Sequence, residues 1–207
     1  MYARSTTVHG DPQLLDQGIA YIRDTMMPAV RQMDGCIGLS MLSDRTSGRS
    51  IVTTSWADAE AMRRSADPLA PMRRRAAQLL GGEAGDLNEW EIAVMHRSHE
   101  THNGACARVM VGEGDPARID ELVDSFRMGL LPRIEDLPGF VSLSLMVDRT
   151  SGRTAAAVGY DSRQSMAEAE APGRALRQEF TGHMRTEVTD VAVYDIILAH
   201  LRVPETT

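Results

Sequence analysis

Three pairs of residues in this chain could do chemistry, and each pair is displaced by the same 104 positions: Arg4 with Arg108, Arg73 with Arg177, and His96 with His200. A guanidinium stays charged at any working pH and offers a planar fork of donors, so two of them beside one pocket would clamp an anion or an enolate. If that anion then reacted with oxygen, the same groups would stabilise it electrostatically. An imidazole with a near-neutral pKa could take the proton from a bound acid. Each pair also has a plainer reading. An arginine can be paired to a carboxylate such as Glu83 or Glu187 or reach into water, and a histidine at a strand end can be half exposed and idle. Trp56, Tyr160, Met62, Met72 and Met166 are placed to line such a pocket, or equally to fill a core.

The constant displacement says what must position these residues. Asp44 to Arg49 reads DRTSGR, and so does Asp148 to Arg153. The same shift pairs Asp11-Pro12 with Asp115-Pro116, Pro28 with Pro132, Gly35 with Gly139 and Pro68 with Pro172 without a gap. A tandem duplication is the simplest description, with repeat 1 over 1–97, a polar linker over 98–104 and repeat 2 over 105–203.

Within each repeat the hydrophobic period switches in one order. A short half-apolar strand (2–8, 106–111) leads to Asp-Pro, an N-cap followed by proline at the first helical position. Leu15, Ile19, Ile22, Met26 and Val30 then recur at helical spacing, as do Ile119, Leu122, Phe126 and Ile134. Gly35 and Gly139 end the helix, and Ile37, Leu39 and Met41, or Val141, Leu143 and Leu145, alternate as a strand does. DRTSGR supplies hairpin chemistry, with Gly48 and Gly152 suited to positive φ. A third strand follows, then helix over 58–66 and 69–80 broken at Pro68 (Pro172 in the second repeat), then a fourth strand over 89–96 or 191–200.

The fold class is therefore α+β, two ferredoxin-like βαββαβ repeats. Each antiparallel sheet with helices on one face leaves the other face apolar, so the two sheets are expected to pack into a pseudo-dimeric α/β barrel, helices outside. The alternating residues of the second strand are assigned to the sheet-to-sheet contact.

Composition excludes several functions. All 22 basic residues are arginine, so Schiff-base, pyridoxal phosphate and P-loop mechanisms, which need lysine, are out. A formal charge of −7 argues against a nucleic-acid partner. Cys36 and Cys106 have neither disulfide-framework nor zinc-ligand spacing. His96, His99 and His102 stand three apart, but in a polar linker without an equivalent in the second repeat, so no metal is assigned. With neither signal core nor membrane-length apolar run, a cytoplasmic protein without a membrane partner is expected, as a monomeric pseudo-dimer or weak homo-oligomer.

The order of elements, the glycine before an alternating strand and the run Ser55-Trp56-Ala57-Asp58-Ala59-Glu60-Ala61 resemble the antibiotic-biosynthesis-monooxygenase-like branch of the dimeric α/β barrel superfamily. The likeness covers both repeats, with an echo at Tyr160 to Met166. It implies a ligand between sheet and helices, and an activity among cofactor-independent oxygenases, heme-degrading enzymes and proteins without assigned role. Heme-degrading members carry an Asn on the first strand, a Trp in the second helical region and an iron-ligating His. Here those places hold Arg4 and Arg108, Ser65 and Ala169, and Arg73 and Arg177, so heme degradation is disfavoured and no cofactor is expected.

Three functions remain open on the sequence. One is a cofactor-independent monooxygenase acting on an aromatic or polyketide-like anion through Arg4, Arg73, His96 and their counterparts. Another is a non-catalytic binding or sensing barrel, and the last is a structural remnant with closed pockets.

Overall fold

The computed structural model describes residues 1–99 and 104–201. Most of the 98–104 linker, with His102, and the last two residues of repeat 2 lie outside the described residues. Element order repeats at the displacement seen in the sequence. The first series is β1 (Tyr2–His9), α1 (Leu15–Tyr21), a π-helical turn (Ile22–Met26), α2 (Met27–Arg31), β2 (Cys36–Ser43), β3 (Arg49–Trp56), α3 (Ala59–Arg64), α4 (Ala66–Leu79) and β4 (Ala84–Arg97). The second is β5 (Cys106–Glu113), a 3-10 turn (Pro116–Arg118), α5 (Ile119–Ser125), a π turn (Phe126–Leu130), α6 (Leu131–Glu135), β6 (Phe140–Val147), β7 (Arg153–Tyr160), α7 (Arg163–Glu168), α8 (Glu170–Met184) and β8 (Glu187–Leu201).

Among the described residues the strands form an antiparallel barrel with hydrogen-bonded order β1-β3-β2-β8-β5-β7-β6-β4. Two compact units divide it. Of the described residues, the first comprises 1–90 with 194–201, and the second 91–99 with 104–193. The division falls inside β4 and β8, which explains why both strands run longer than the 89–96 and 191–200 read from hydropathy. Each long strand serves one unit with its first part and the other with its last. The exposed start of β4, Ala84 to Leu87, carries no alternating apolar signal to betray it.

Each unit has its own core. In the first, Leu15, Ile19, Ile22, Met26 and Val30 pack with Leu39, Met41, Val52, Trp56 and Leu69. In the second, Ile119, Leu122, Phe126 and Ile134 pack with Leu143, Leu145, Val158 and Tyr160. The helical periodicity is thus confirmed. The sheet-to-sheet assignment of Leu39, Met41, Leu143 and Leu145 is corrected, since these side chains belong to the core shared with the helices. Bulges are the cause. The β2·β3 register slips between Cys36 and Gly38, and β6·β7 between Phe140 and Ser142, so Ile37 and Val141 are extra residues that reset which face the alternation addresses.

The first long helix of each unit is not one regular α-helix. Pro28 and Pro132 sit in the first turn of α2 and α6, where a proline ring would clash with the carbonyl four residues back. The preceding π turn widens the helix there and absorbs the conflict. Asp11 and Asp115 do cap, but they cap the turn ahead of the α-helix, accepting from Gln13 N at 2.8 Å and Ala117 N at 2.9 Å. The later helix breaks at Ser65 and Ala169, three residues before Pro68 and Pro172, and not at the prolines. A proline in the first helical turn gives up only an N–H that would have no partner there.

Both DRTSGR segments form the same hairpin turn. Asp44 and Asp148 accept from Thr46 N and Thr150 N at 2.9 Å, and Gly48 and Gly152 take φ of +75° and +77°. A Cβ on Gly152 would lie 2.1 Å from the Gly114 carbonyl oxygen. No helix among the described residues is long and apolar enough to cross a membrane.

Replacing Gly152 by alanine is expected to lower unfolding free energy by at least about 1–2 kcal/mol, the cost of left-handed backbone at a residue with a Cβ. Gly182→Ala, in α8 where a Cβ meets nothing within 4 Å, should instead gain about 0.5–1 kcal/mol. Denaturant unfolding of the two variants checks both signs.

Candidate functional site

A cavity of about 90 Å³ lies in the second unit, between β5, β6 and β7 and the helices α5, α6 and α8. α5, the π turn that follows it and α8 direct Leu122, Phe126 and Leu176 into it, and the strands supply Leu145, Ala156 and Val158. Phe126 and Phe180 meet edge to face, centroids 5.7 Å apart, and stiffen the helical wall. The polar side chains in the wall are few: Arg108, Arg177, Tyr160, Glu187 and three threonines.

Arg108 extends from β5 and is 8% exposed. Its guanidinium pairs with Glu170 at the start of α8 and stands 6.0 Å from the centroid of the Tyr160 ring. Glu170 also accepts from Arg174 at 2.7 Å, and that hydrogen bond, with the nearby Arg108 charge, holds its carboxyl below the ordinary glutamate value. Burial pushes the Tyr160 phenol above its ordinary value, against the opposing pull of Arg108. The phenol therefore stays protonated at neutral pH and can donate a hydrogen bond.

Arg177 is half-buried and differently placed. It donates to the Met110 thioether at 3.7 Å, and no carboxylate among the described residues hydrogen-bonds to it. It lies four residues after Gly173 on α8, on the same helical stripe, and both line the cavity.

The corresponding place in the first unit is nearly closed, with about 20 Å³ of room. Arg4 and Arg73 do line it. Arg4, 3% exposed, is already satisfied: Nε and Nη2 donate to Glu89 at 3.0 and 2.6 Å, and Nη1 donates to Ser65 at 3.0 Å. The carboxylate partners are thus Glu89 and Glu170, where the sequence had suggested Glu83 and Glu187. Arg73 donates to the Ala66 carbonyl at 3.1 Å, while its Nη1 is buried without a hydrogen bond. Burial and then the neighbouring Arg4 charge lower the Arg73 pKa.

His96 is not beside Arg4. It belongs to the part of β4 that lies in the second unit, opposite Leu143, where it pairs with Glu135 and stacks on Phe140 at 6.1 Å. The exchange of β4 between units carries it there, which the shorter strand read from the sequence could not show. His200 lies on β8 opposite Leu39, in the first unit, and its side chain is outside the described residues. Among the described residues no group of three or more His, Cys, Asp or Glu could hold a metal ion.

Of the proposed pocket liners, Tyr160 is in the wall of the larger of these two cavities, and the other four are in neither wall. Trp56 is fully buried and donates to Thr54 at 3.1 Å, and Met62 packs in the first core with Met72 at its edge. Met166 is buried against Cys106, with sulfurs 3.8 Å apart. Gly173 is not marked by identity between the repeats. Its counterpart is Leu69, and that difference was the available signal.

Tyr160 is expected to ionise above the ordinary tyrosine range. A spectrophotometric titration of phenolate absorbance, with Tyr160→Phe subtracted, reads this directly. Ionisation of that one phenol at or below the value of a free tyrosine would remove the burial argument.

No family model matches the chain. In sequence it is similar to the uncharacterised proteins Rv2557 and Rv2558 of Mycobacterium tuberculosis. Each is 43% identical, over 205 and 206 residues, covering 99% of this chain and 91% and 87% of theirs. In structure it is similar to an anthrone oxidase-like protein, with a TM-score of 0.67 at 14% identity over 99% of this chain and 94% of that one. A monooxygenase-like protein from Listeria innocua gives 0.54 at 13% identity over 94% and 93%. A heme-degrading enzyme from Listeria monocytogenes gives 0.55 at 12% identity over 94% and 99%. Likeness at such low identity shows fold alone, an α+β arrangement of an antiparallel barrel with helices. The sequence relatives show more: the chain belongs to the family of these two Mycobacterium tuberculosis proteins.

Proposed function

We propose that the second unit binds a small aromatic ligand carrying one anionic group. The observation that carries this reading is an apolar cavity of about 90 Å³ with Arg177 in its wall and no carboxylate hydrogen-bonded to that guanidinium. A half-buried guanidinium whose charge is not taken up by a hydrogen-bonded carboxylate has donors to offer, so its position favours a ligand that brings a negative charge. Arg108 has its countercharge in Glu170 and supports the site by holding Tyr160 from above. Size limits the ligand. A dry cavity of about 150 Å³ takes benzene, so the enclosed space here accepts one ring in part, with the remainder in the mouth. The closed-pocket reading applies to the first unit.

A second reading, cofactor-independent oxidation of an aromatic or polyketide-like anion, is favoured by the antibiotic-biosynthesis-monooxygenase-like resemblance and by neighbours described as anthrone oxidase-like and monooxygenase-like. The guanidiniums would then stabilise the substrate anion as it gives an electron to oxygen. No imidazole is among the described residues of the wall. The groups there that could accept a proton are Glu187 and the phenolate of Tyr160, and burial disfavours the phenolate. Such a substrate would therefore have to arrive ionised or be acidic enough to ionise readily. The wall also lacks the histidine that heme-degrading relatives of this fold use on iron, so it gives no support to a heme.

Calorimetric titration with benzoate and with its neutral isostere benzamide tests the binding reading. Benzoate is expected to bind the more tightly, and Arg177→Met to weaken it by about 10- to 100-fold, a charge-assisted hydrogen bond being worth about 1.5–3 kcal/mol. Equal affinity for the two, or no effect of the variant, would sink it. Oxygen consumption with an anthrone, lost in Arg177→Met, would promote the second reading.

A further inference from the structure

The two cavities are lined from the same chain positions: Arg4 and Arg108, Met26 and Leu130, Thr54 and Val158, Arg73 and Arg177. They nonetheless differ in room, about 20 against about 90 Å³. Three positions become smaller in the second unit, where Gly112 stands for Val8, Ala156 for Val52 and Gly173 for Leu69. Two become larger, Met110 for Thr6 and Phe180 for Ala76, but the Phe180 ring packs against Phe126 as part of the wall and the Met110 sulfur accepts from Arg177.

Space around each glycine separates cause from accompaniment. A Cβ on Gly112 would lie 2.9 Å from the Glu187 carbonyl oxygen and 3.2 Å from Thr154 Oγ1, so close backbone approach explains that glycine. A Cβ on Gly173 would meet only the Leu137 Cδ1, at 3.6 Å, an ordinary contact. Gly173 is inside a helix, where glycine is unfavourable, and nothing there forbids a side chain. Its counterpart Leu69 is 1% exposed and fills the equivalent space in the first unit. A helical side chain leans over the turn N-terminal to its own Cα, so Arg177 reaches across the bare surface at Gly173, as Arg73 does over Leu69.

We propose that Gly173 determines the size of ligand the second unit accepts, and that Leu69 is an intramolecular plug occupying the place of a ligand ring in the first. The ligand class is a single-ring aromatic anion, its ring over the Gly173 backbone and its charge toward Arg177. This rests on the binding reading above for the ligand's identity, but not for the existence of the open and plugged states.

Xenon, which needs only an apolar cavity, separates the two. In pressurised crystals of the full chain, xenon should occupy the second unit alone. Gly173→Leu should abolish that occupancy and weaken benzoate at least about tenfold, a change of about 1.4 kcal/mol. Leu69→Ala should admit xenon to the first unit, and Gly173→Val is the fallback if the leucine variant does not fold. Xenon in both units of the unaltered chain, or unchanged occupancy in the folded Gly173 variant, would overturn the proposal. Xenon behaving as expected while benzoate fails to bind the unaltered chain would uphold the size gate and reject the ligand reading alone.

Discussion

A guanidinium in the middle of a strand that lies under helices must find its countercharge inside the fold, and much of each unit is arranged around that demand. Arg4 and Arg108 occupy the same place in the first strand of their units, each less than a tenth exposed. In the first unit the answer is Glu89 together with Ser65, whose hydroxyl also donates to Met62 O at 2.7 Å where α3 gives way to α4. In the second, alanine replaces that serine, and Glu170 at the head of α8 takes the charge instead. One buried cation thus fixes where the later helix begins in both halves, by two different sets of partners. Removing a partner from such an arrangement costs more than the pair itself contributes, because a charge is left behind without solvent.

The different solutions have different consequences for the space alongside. Arg4 is bound on three nitrogens and offers nothing further. Arg108 leans over Tyr160, and Tyr160 remains part of a cavity wall. With Leu69 replaced by Gly173, the second unit keeps a gap of about 90 Å³ between helix and sheet where the first keeps about 20 Å³. Two copies of one supersecondary pattern have thereby come to hold a solid core and a hollow one.

Much of the fold was legible because its determinants are local. Helical spacing in Leu15 to Val30 and the two DRTSGR hairpins act within a few residues, and the structure bears them out, while the Asp-Pro pairs cap a turn ahead of each α-helix and not the helix itself. The π turns were not legible, since they come from Pro28 and Pro132 conflicting with a helix that the hydrophobic pattern otherwise continues. Nor were the bulges at Ile37 and Val141, which reverse the facing of an apparently clean alternation. The placement of His96 depended on where one strand passes from unit to unit, and no side chain marks that point. For the site, residues alike in both repeats led to the arginines, two of which are engaged by carboxylates. The cavity is written in a residue that differs, Gly173 against Leu69, which identity between the halves does not mark.

The chain's two tryptophans, Trp56 and Trp90, both belong to the first unit, each at most 5% exposed, with indole nitrogens donating to Thr54 and Ser5. The hollow unit has tyrosine in the equivalent of one position and no indole of its own. Optically the molecule is therefore two halves with separate labels. Indole emission follows melting or loosening of the solid half, and far-ultraviolet dichroism follows both, so disagreement between the two signals would mark halves that come apart at different temperatures.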